Sequence, residues 1–583
     1  MKRFFPVFAA ILSILACAPF ARALTPKPNV APVVSGAITA PPQYRGTTRA
    51  IDMTPFFSDP DASAAVQVNT VAGVMNFTLD GQQAPLTVAN FLNYVESGRY
   101  YKTDPVNGQQ ASVFFHRSVP GFVIQTGGFY GTVNSRGNVF EAGFFPAATP
   151  VLTYPPVVNE PFISNLRGTI AMAKLGGDPN SATSQWFVNL ADNSANLDNQ
   201  NGGFTVFGRV AGNGMAVADA IAALPKINAG SPYDAVPVRD YTSPNPVKVP
   251  NLISIPSISR ISPLTYSASS SNPAVATVTS SGRYIAIKSL QVGTAQITVT
   301  ATDLDGASVS QSLSVNIIPA PARLGNISTR VSFANRQSDL IAGFIVRGGT
   351  SKMLAGRAIG PSLANFIPNP IEDPTLELHD VNTVIDPNDD WVTRDDQDLI
   401  TALGLAPGSN KESVVQSTVP SSNGNTSYTA VMRNAAGNFG IGLVEIYDLD
   451  SAAGSTIVNL SSRGTVGLGA NVMIGGFIIS GDGTRRLVVR AVGPSLTQYG
   501  VAGALRDPMI ELRNEQGTIL ASNDDWQSDP PAAVEIQGYG LQPSDSQESA
   551  VIATLGQGNY TAILSGNGNT PTGVASIEIY QVQ

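Results

Sequence analysis

The stretch that decides the fold is Phe115-His-Arg-Ser-Val-Pro-Gly-Phe-Val-Ile-Gln125. It lies in a region, from 66 to about 237, whose short alternating segments are typical of β-strands. Two stretches in this region have a helical pattern instead, one at 86–98 and one near 215–224. The region is therefore predicted to be a mixed domain in which short strands surround two helices.

Length and composition limit what the rest of the chain can be. The chain has 583 residues, too many for one hydrophobic core, so we expect several domains. Apolar residues make up 43% and charged residues 13%, and the 55 Gly and 42 Pro indicate a folded, turn-rich and mainly β protein. The net charge of −8, with no clustered stripe of Lys and Arg, argues against nucleic acid as a partner.

The N-terminus has the pattern of an export signal. Lys2 and Arg3 precede an apolar run at 4–16, and Ala21-Arg22-Ala23 has the small-x-small form of a signal peptidase site. The run is too short for a permanent membrane anchor, and no later segment is long and apolar enough to be one. We therefore predict a signal peptide at 1–23 and an exported protein that is periplasmic, secreted or displayed on the cell surface.

Lipidation is a second interpretation of the same segment. Ile14-Leu15-Ala16-Cys17 resembles a lipobox, in which Cys17 would be lipidated and become the mature N-terminus. Cys17 is the only cysteine in the sequence, so cleavage after Ala23 leaves no thiol. Disulfides, thiolate catalysis and cysteine zinc sites are then excluded.

Segments on both sides of the mixed region predict a divided β-sandwich. A Pro-, Ala- and Thr-rich segment at 24–45 is interpreted as a linker. The segment that follows this linker looks like the opening strand and turn of a cadherin- or Ig-like sandwich. The sequence that would continue this sandwich lies on the C-terminal side of the mixed region. We expect a sandwich made of 46–64 and 251–318, with the domain at 66–250 inserted between them. The alternative is a short linker followed by an independent second domain.

The last part of the chain contains an internal repeat. The recurring pairs are Arg357-Ala-Ile-Gly-Pro-Ser-Leu363 with Arg490-Ala-Val-Gly-Pro-Ser-Leu496, Asn388-Asp-Asp-Trp391 with Asn523-Asp-Asp-Trp526, and Glu445-Ile-Tyr447 with Glu578-Ile-Tyr580. Their spacing of 133 to 135 residues indicates a duplicated domain rather than a solenoid. Alternating strands with Gly and Asn turns predict two β-sandwich or jelly-roll copies, at 323–450 and 456–583.

The repeated motifs have a ligand-binding and a structural interpretation. Adjacent carboxylates and amide oxygens in Asn-Asp-Asp-Trp are hard ligands that suit calcium, whereas the alternative is a solvated acidic turn. The Arg-Ala-Ile/Val-Gly-Pro-Ser-Leu motif is interpreted as a strand that ends in a Gly-Pro turn, and no metal site is predicted in the chain.

Residues 66–225 resemble the cyclophilins, most closely the exported bacterial members. The resemblance is carried by three ordered blocks: the first at 87–100, the second at 115–125, and the third made of Gly168-Thr-Ile-Ala-Met-Ala173, Ser181-Ala-Thr-Ser-Gln-Trp-Phe-Val188 and Val206-Phe-Gly-Arg-Val210. The resemblance implies an eight-stranded closed β-barrel capped by two helices, with a substrate groove on its outer face. The expected fold class is thus mainly β and multidomain.

The same resemblance assigns the site. Arg117 is implied to be the catalytic residue. The implied substrate-binding residues are Phe122, Val123, Gln125, Ala173, Lys174, Gln185, Phe187, Leu197 and Phe204. His116 adjoins Arg117, but the implied reaction needs no proton transfer, so we expect a structural role for it. Where the family usually has an aromatic residue, this chain has Asn196, which puts substrate preference in doubt.

The implied activity is peptidyl-prolyl cis/trans isomerisation. This reaction breaks no covalent bond, so no nucleophile, metal or cofactor is implied. The implied partners are proline-containing polypeptides, here exported proteins whose folding the isomerase would assist. One alternative is a module that captures proline segments with weak turnover. Another is a surface or adhesion protein in which the C-terminal repeats bind a cell-surface or matrix ligand and the isomerase is accessory.

Overall fold

The computed structural model describes residues 24–26, 28–333, 339–421, 424–450, 454–569 and 571–582. The predicted signal peptide and Cys17 lie outside these residues. The chain divides into two compact units. The first holds the described residues up to Val33 with Asp59–Thr265 and Thr302–Ser308, and the second holds Val34–Ser58, Tyr266–Ala301 and the described residues from Val309 onward. No helix in the described ranges has the length and apolar character needed to cross a membrane.

The first unit is built from short strands, three α-helices and two short 3-10 helices, Gln200–Gly202 and Val249–Asn251. Four small strands precede the barrel strands in the sequence: β1 (Val33–Val34), β2 (Gln43–Tyr44), β3 (Thr48–Asp52) and β4 (Phe57–Ser58). Its own strands are β5 (Ala64–Thr70), β6 (Gly73–Leu79), β7 (Tyr101–Thr103), β8 (Gln110–Ser112), β9 (Arg117–Val119), β10 (Val123–Thr126), β11 (Phe129–Tyr130), β12 (Thr149–Pro150), β13 (Thr169–Met172), β14 (Trp186–Asn189), β15 (Val206–Ala211), β16 (Lys226–Ile227), β17 (Val236–Pro237) and β18 (Ser257–Ile261). Its α-helices are α1 (Pro85–Glu96), α2 (Ser194–Leu197) and α3 (Gly214–Ala223).

Eight of these strands form a closed barrel. Their order is β18-β5-β6-β15-β13-β14-β10-β9. The two edges meet just before β9 and β18, where the Phe115 amide donates to the Ile253 carbonyl at 3.0 Å and the Ile255 amide donates to the Val113 carbonyl at 2.9 Å. This closure removes the open sheet edges and gives the closed eight-stranded barrel that the resemblance implied.

The predicted helices coincide with α1 and α3. Pro85 begins α1, where its missing N–H costs no hydrogen bond, and Gly98 follows the helix with a positive φ of 67°. The buried face of α1 includes Val88, Phe91 and Val95, spaced three and four residues apart. This face packs into the barrel core, and at the N-terminus of the helix the buried Glu160 carboxylate accepts hydrogen bonds from the Leu86 and Thr87 amides. Apolar burial and this carboxylate together stabilise the helix.

The structure moves the predicted boundaries of the barrel. β18 pairs along its whole length with β5, so the barrel extends to Ile261 rather than ending at 250. Part of the segment interpreted as a linker, 24–45, also forms regular structure, since β2 pairs with a later strand. These short pairings depend on partners more than 180 residues away, which a local sequence pattern does not reveal.

A small sandwich follows the barrel in sequence. Its later strands are β19 (Leu264–Ser270), β20 (Ala276–Ser281), β21 (Tyr284–Ser289), β22 (Gly293–Asp303) and β23 (Ser308–Ile318). One sheet has the order β19-β22-β23-β2 and the other has the order β20-β21-β3. Strands from before and after the barrel thus pair in both sheets, which supports the predicted split sandwich; its domain bounds stay a prediction.

The C-terminal part consists of longer strands. They are β24 (Arg323–Phe333), β25 (Leu340–Gly348), β26 (Lys352–Ile359), β27 (Pro374–His379), β28 (Val384–Asn388), β29 (Ser413–Val419), β30 (Asn425–Asn434), β31 (Gly440–Asp448), β32 (Ser455–Val466), β33 (Met473–Val492), β34 (Pro508–Asn514), β35 (Ile519–Asn523), β36 (Ser549–Gly566) and β37 (Gly573–Gln581), with helices α4 (Gln397–Ala402) and α5 (Pro530–Gly538). In the described residues these strands form one 14-stranded hydrogen-bonded network.

The first strand of each repeat pairs with strands of both repeats. β24, from the first copy, pairs with β31 of its own copy and with β33 of the second copy. β32, the equivalent strand of the second copy, pairs with β25 of the first copy and with β37 of its own. Thr329 and Ser462 occupy equivalent positions and their hydroxyls are 2.6 Å apart. The copies therefore share one hydrophobic core instead of forming two separate ones.

A fully buried glutamate explains the repeated Gly-Pro-Ser motif. Glu412 Oε1 accepts hydrogen bonds from the Gly360 and Ser362 amides, both at 2.9 Å, and from the Ser362 hydroxyl at 2.6 Å. Glu548 binds Gly493 and Ser495 in the same way. The motif is thus a strand followed by a turn whose amide groups are satisfied by one buried carboxylate.

Replacing this carboxylate is expected to destabilise the repeats. In Glu412→Ala the amides of Gly360 and Ser362 lose their acceptor in a dry site, so the unfolding free energy should fall by about 3 kcal/mol or more. Calorimetry of the full chain should show a lower melting temperature for the repeat transition. Glu372→Ala, at an exposed position of the same repeat, is the control. Equal melting temperatures for the two variants would contradict the assigned role of Glu412.

Candidate active site

Strand register places the predicted site residues on one face of the barrel. In β10, Gln125 lies opposite Arg117 of β9 on one side and opposite Phe187 of β14 on the other. Because neighbouring side chains of a strand point to opposite faces, these three side chains share a face. Their neighbours Ile124 and Trp186 point the other way and are fully buried in the barrel.

The shared face carries a pocket of about 210 Å³. Its lining residues are Arg117, Phe122, Val123, Gln125, Ala173, Lys174, Phe187, Leu197, Gln200 and Phe204. The structure thus brings together every residue that the sequence singled out except Gln185, which lies beside the pocket and accepts a hydrogen bond at 2.9 Å from Gln125 Nε2. Gln200 was not predicted; it follows Asn199 in a polar loop with no distinguishing pattern.

The pocket floor is apolar and the rim is charged. Val123, Phe187 and Leu197 are each less than 5% exposed and form one hydrophobic cluster. The Phe187 and Phe204 rings are 6.0 Å apart in an edge-to-face arrangement. A slot of this kind can hold a small apolar ring.

Arg117 stands at the edge of this slot with its side chain one-third exposed. Its Nε is 4.0 Å from Asp234 Oδ1. This separation exceeds hydrogen-bond length, so Asp234 leaves the N–H donors of the guanidinium able to bind a ligand. A fork of fixed donors therefore stands at the edge of a pocket with an apolar floor.

Lys174 holds the loop that forms the far wall. Its Nζ donates to the Asn201 carbonyl at 2.9 Å and to the Gly203 carbonyl, and it lies 4.8 Å from the centre of the Phe204 ring. Burial lowers the pKa of Lys174 to about 8, so the ammonium form still predominates at neutral pH. The side chain of Lys174 thus contributes to the wall, whereas the sequence implied a role for its backbone.

A chain of buried asparagines, which the sequence did not single out, connects the walls of the pocket. Asn193 Nδ2 donates to the Phe122 carbonyl at 2.9 Å and to Asn189 Oδ1 at 2.7 Å. Asn189 in turn donates to Asn165 Oδ1, and Asn165 donates to the Phe204 carbonyl at 3.0 Å. All three amides are more than 90% buried. Isolated asparagines give no sequence signal, because the network exists only after folding brings the end of β14 and two loops together.

His116 is a packing residue in this arrangement. It is 1% exposed, and its ring meets Phe129 edge-on at 5.0 Å between ring centres. Burial is the main reason that its pKa is lowered from 6.5 to about 4, and the neighbouring Arg117 charge acts in the same direction. The imidazole is therefore uncharged at neutral pH and is held inside the wall, which supports the expected structural role.

The acidic motifs of the repeats form turns. Asn388 Oδ1 accepts from the Val414 amide, and its equivalent Asn523 accepts from the Ala550 amide, both at 2.9 Å. Carboxylate oxygens of Asp373, Asp389 and Asp390 lie within 4.8 Å of one another. This cluster is compatible with a solvated acidic turn and with a calcium ligand set, so both interpretations of the motif stay predictions.

Comparison with known proteins assigns the barrel to a family. The family model described as "Cyclophilin type peptidyl-prolyl cis-trans isomerase/CLD" matches residues 65–243. Peptidyl-prolyl cis-trans isomerase A of Dickeya dadantii (strain 3937) is 41% identical over 181 residues, which cover 30% of this chain and 80% of that protein. Peptidyl-prolyl cis-trans isomerase B of Escherichia coli (strain K12) is 36% identical over 164 residues, which cover 27% of this chain and 83% of that protein.

A solved structure was also found. The crystal structure of a cyclophilin type peptidyl-prolyl cis-trans isomerase of Cryptosporidium parvum is similar over 34% of this chain and 98% of its own, with 23% sequence identity and a TM-score of 0.23. The sequence matches, which fall on the barrel, carry the assignment.

Acidification is expected to destabilise the barrel through His116. Its pKa is about 4 in the folded barrel and 6.5 in the unfolded chain, so the unfolded chain binds more protons between these values. The stability contributed by the neutral imidazole is complete above pH 6.5 and is lost as the pH falls towards 4, by about 3 kcal/mol in total.

The measurement is urea unfolding at pH 7 and pH 4.5, followed by tryptophan fluorescence. The sequence has three Trp, so a background with Trp391→Phe and Trp526→Phe leaves Trp186, inside the barrel, as the reporter. Addition of His116→Gln should reduce the loss of stability on acidification. The same pH dependence with and without His116 would show that other groups are responsible.

Proposed function

Because the chain belongs to the cyclophilin-type peptidyl-prolyl cis-trans isomerases, we propose that Arg117 drives rotation about X-Pro bonds held in the pocket. The observation that carries the proposal is the position of the Arg117 guanidinium beside the apolar slot formed by Val123, Phe187 and Leu197. A prolyl ring fits the chemistry of such a slot. The substrates proposed are proline-containing segments of exported proteins that are still folding.

The proposed mechanism follows from the electronic structure of the amide. Rotation costs about 18–20 kcal/mol because the nitrogen lone pair is delocalised into the carbonyl group. X-Pro bonds populate both isomers and exchange over tens to hundreds of seconds without help. When the bond is twisted, the lone pair returns to the prolyl nitrogen, which then accepts a hydrogen bond. A donor at that position stabilises the transition state more than the planar ground state.

The free energy needed for catalysis shows how much transition-state stabilisation Arg117 and the pocket must each supply. An acceleration of about 10³-fold needs roughly 4 kcal/mol. A hydrogen bond from a charged donor contributes about 1.5–3 kcal/mol. The remainder is assigned to the apolar slot and to Gln125 and Gln185, which with the backbone of Ala173 and Lys174 would hold the chain on both sides of the proline. No bond is made or broken, so the proposal involves no nucleophile, metal or cofactor.

Export is the second part of the proposal. It rests on the charged start, apolar run and cleavage pattern at 1–23 or, alternatively, on lipidation at Cys17. The location is proposed to be the periplasm, the cell surface or the medium. The β-domains that follow the barrel are proposed to position the enzyme, and a cell-surface or matrix ligand for the repeats is part of the adhesion alternative.

Loss of the guanidinium is expected to remove most of the activity. For Arg117→Ala, kcat/KM for an Ala-Pro tetrapeptide should fall by about 10- to 10²-fold, since one charge-assisted hydrogen bond is lost. The measurement is a protease-coupled isomerase assay. Arg136→Ala, at an exposed arginine of the same unit paired with Glu141, is the matched control and should keep wild-type activity. If Arg117→Ala and wild type have equal activity, the mechanism is wrong; if neither is active but both bind the peptide, the capture alternative is favoured.

Loosening the asparagine network is expected to weaken substrate binding. Asn193→Ala leaves the Phe122 carbonyl and Asn189 Oδ1 without their donor, at a cost of about 1–3 kcal/mol, and releases the loop that carries Leu197. KM should therefore rise several-fold while kcat changes less, in the same assay. Asn199→Ala, an exposed asparagine of the adjoining loop, should change neither constant. A pure loss of kcat would contradict a positioning role for Asn193.

A further inference from the structure

The first repeat contains a lysine that is completely enclosed. Lys352, the first residue of β26, has no exposed side-chain surface. Its Nζ is 2.9 Å from Oδ1 of Asp448, which is 2% exposed, and 3.1 Å from Oδ1 of Asp450, which is 34% exposed. Lysine is almost never buried this fully, so an amine and a carboxyl group are held in contact in a dry site.

Burial disfavours the ionised form of Asp448. Desolvation is the largest cause of the raised pKa of Asp448, and it outweighs the opposing effect of the Lys352 charge. Oδ2 of Asp448 has no hydrogen-bond partner among the residues that the structure describes. An unsolvated ion pair is costly, and transfer of one proton within it produces a neutral amine beside a neutral carboxylic acid. These are the reacting forms for amide formation.

The duplication supplies a comparison within the molecule. Equivalent positions in the second repeat lie 133 residues later and hold Arg485, Gln581 and Gln583 in place of Lys352, Asp448 and Asp450. The second copy thus lacks the primary amine and both carboxyl groups. All three positions differ between copies whose Arg-Ala-Ile/Val-Gly-Pro-Ser-Leu and Asn-Asp-Asp-Trp motifs are retained, so the second copy is a matched domain without the three groups.

We propose that Lys352 and Asp448 become joined by an intramolecular amide bond, with Asp450 as the proton carrier. After the proton transfer within the pair, the Nζ lone pair attacks Cγ of Asp448. Asp450 accepts a proton from the nitrogen and delivers it to the departing hydroxyl group of Asp448. The Nζ–Cγ bond forms, one Cγ–O bond breaks, and one water leaves. The ammonium and the carboxylate together contain the atoms of the amide and the water, so no oxidant or cofactor is required.

The cross-link would tie two neighbouring strands of the shared sheet. β26 and β31 are antiparallel, with Leu354 opposite Asp448, so the new bond lies at one end of an existing ladder. It closes a covalent loop from 352 to 448. Such a loop restricts the unfolded chain as a disulfide does, in a protein that has no cysteine after the predicted signal cleavage.

Peptide mapping of the full-length protein tests the proposal without any variant. The denatured protein is digested with trypsin and analysed by mass spectrometry. We expect peptide 348–357, uncleaved after Lys352, joined to peptide 434–463, with a mass one water below the sum of the two. Cleavage after Lys411, an exposed lysine of the same repeat, is the internal control. Recovery of separate peptides 348–352 and 434–463 as the main species would overturn the proposal.

Two variants test the assigned roles. Lys352→Arg, which matches the second repeat, should yield peptide 434–463 unlinked. Asp450→Ala leaves both reacting groups in place and changes a partly exposed residue, so the protein is expected to fold and to remain mostly unlinked. Full cross-linking in Asp450→Ala would overturn the role of Asp450 as proton carrier. Cross-linked peptide 434–463 in Lys352→Arg would show that another amine reacts and would overturn the assignment of Lys352.

Discussion

The site depends on one constraint, the alternation of side chains between the two faces of three adjacent strands. In β13, β14 and β10 the even-numbered residues, such as Ile170, Trp186 and Ile124, fill the barrel core. The odd-numbered residues between them, such as Phe187 and Gln125, form the pocket. A shift of one residue in any pairing would exchange these sets and place the large Trp186 ring in the groove. The tightly packed core therefore also fixes the position of the catalytic face.

The sequence predicted the barrel, its two longer helices and nearly all pocket residues, because these depend on local patterns and on ordered motifs with recognisable spacing. It did not predict Gln200 or the network of Asn165, Asn189 and Asn193, since these isolated polar residues acquire their partners only when separate segments meet. The pairing of β18 with β5 was missed for the same reason, as it joins residues almost 190 positions apart.

Three ionisable side chains of the molecule differ in their solvent exposure and in their hydrogen-bond partners. Glu412 is enclosed in the core, where amide and hydroxyl donors satisfy its oxygens. Arg117 keeps one-third of its side chain exposed beside an apolar slot. Lys352 has no solvent contact, and its Nζ faces the carboxylates of Asp448 and Asp450 and the backbone carbonyl of Asp450. The chemistry inferred at each place follows from how far the charge is solvated.

The pairing of each first strand with both repeats affects the order in which the sheets can be completed during synthesis. A ribosome that has completed the first copy has produced β25 without its neighbour β32, and β24 without its neighbour β33. These edges stay unpaired until β32 and β33, the first two strands of the second copy, have been made, and an unpaired edge can recruit other chains. The barrel, by contrast, has all its strands once β18 has been made. The first copy therefore cannot complete its sheet without the second, whereas the barrel needs no strand of either copy.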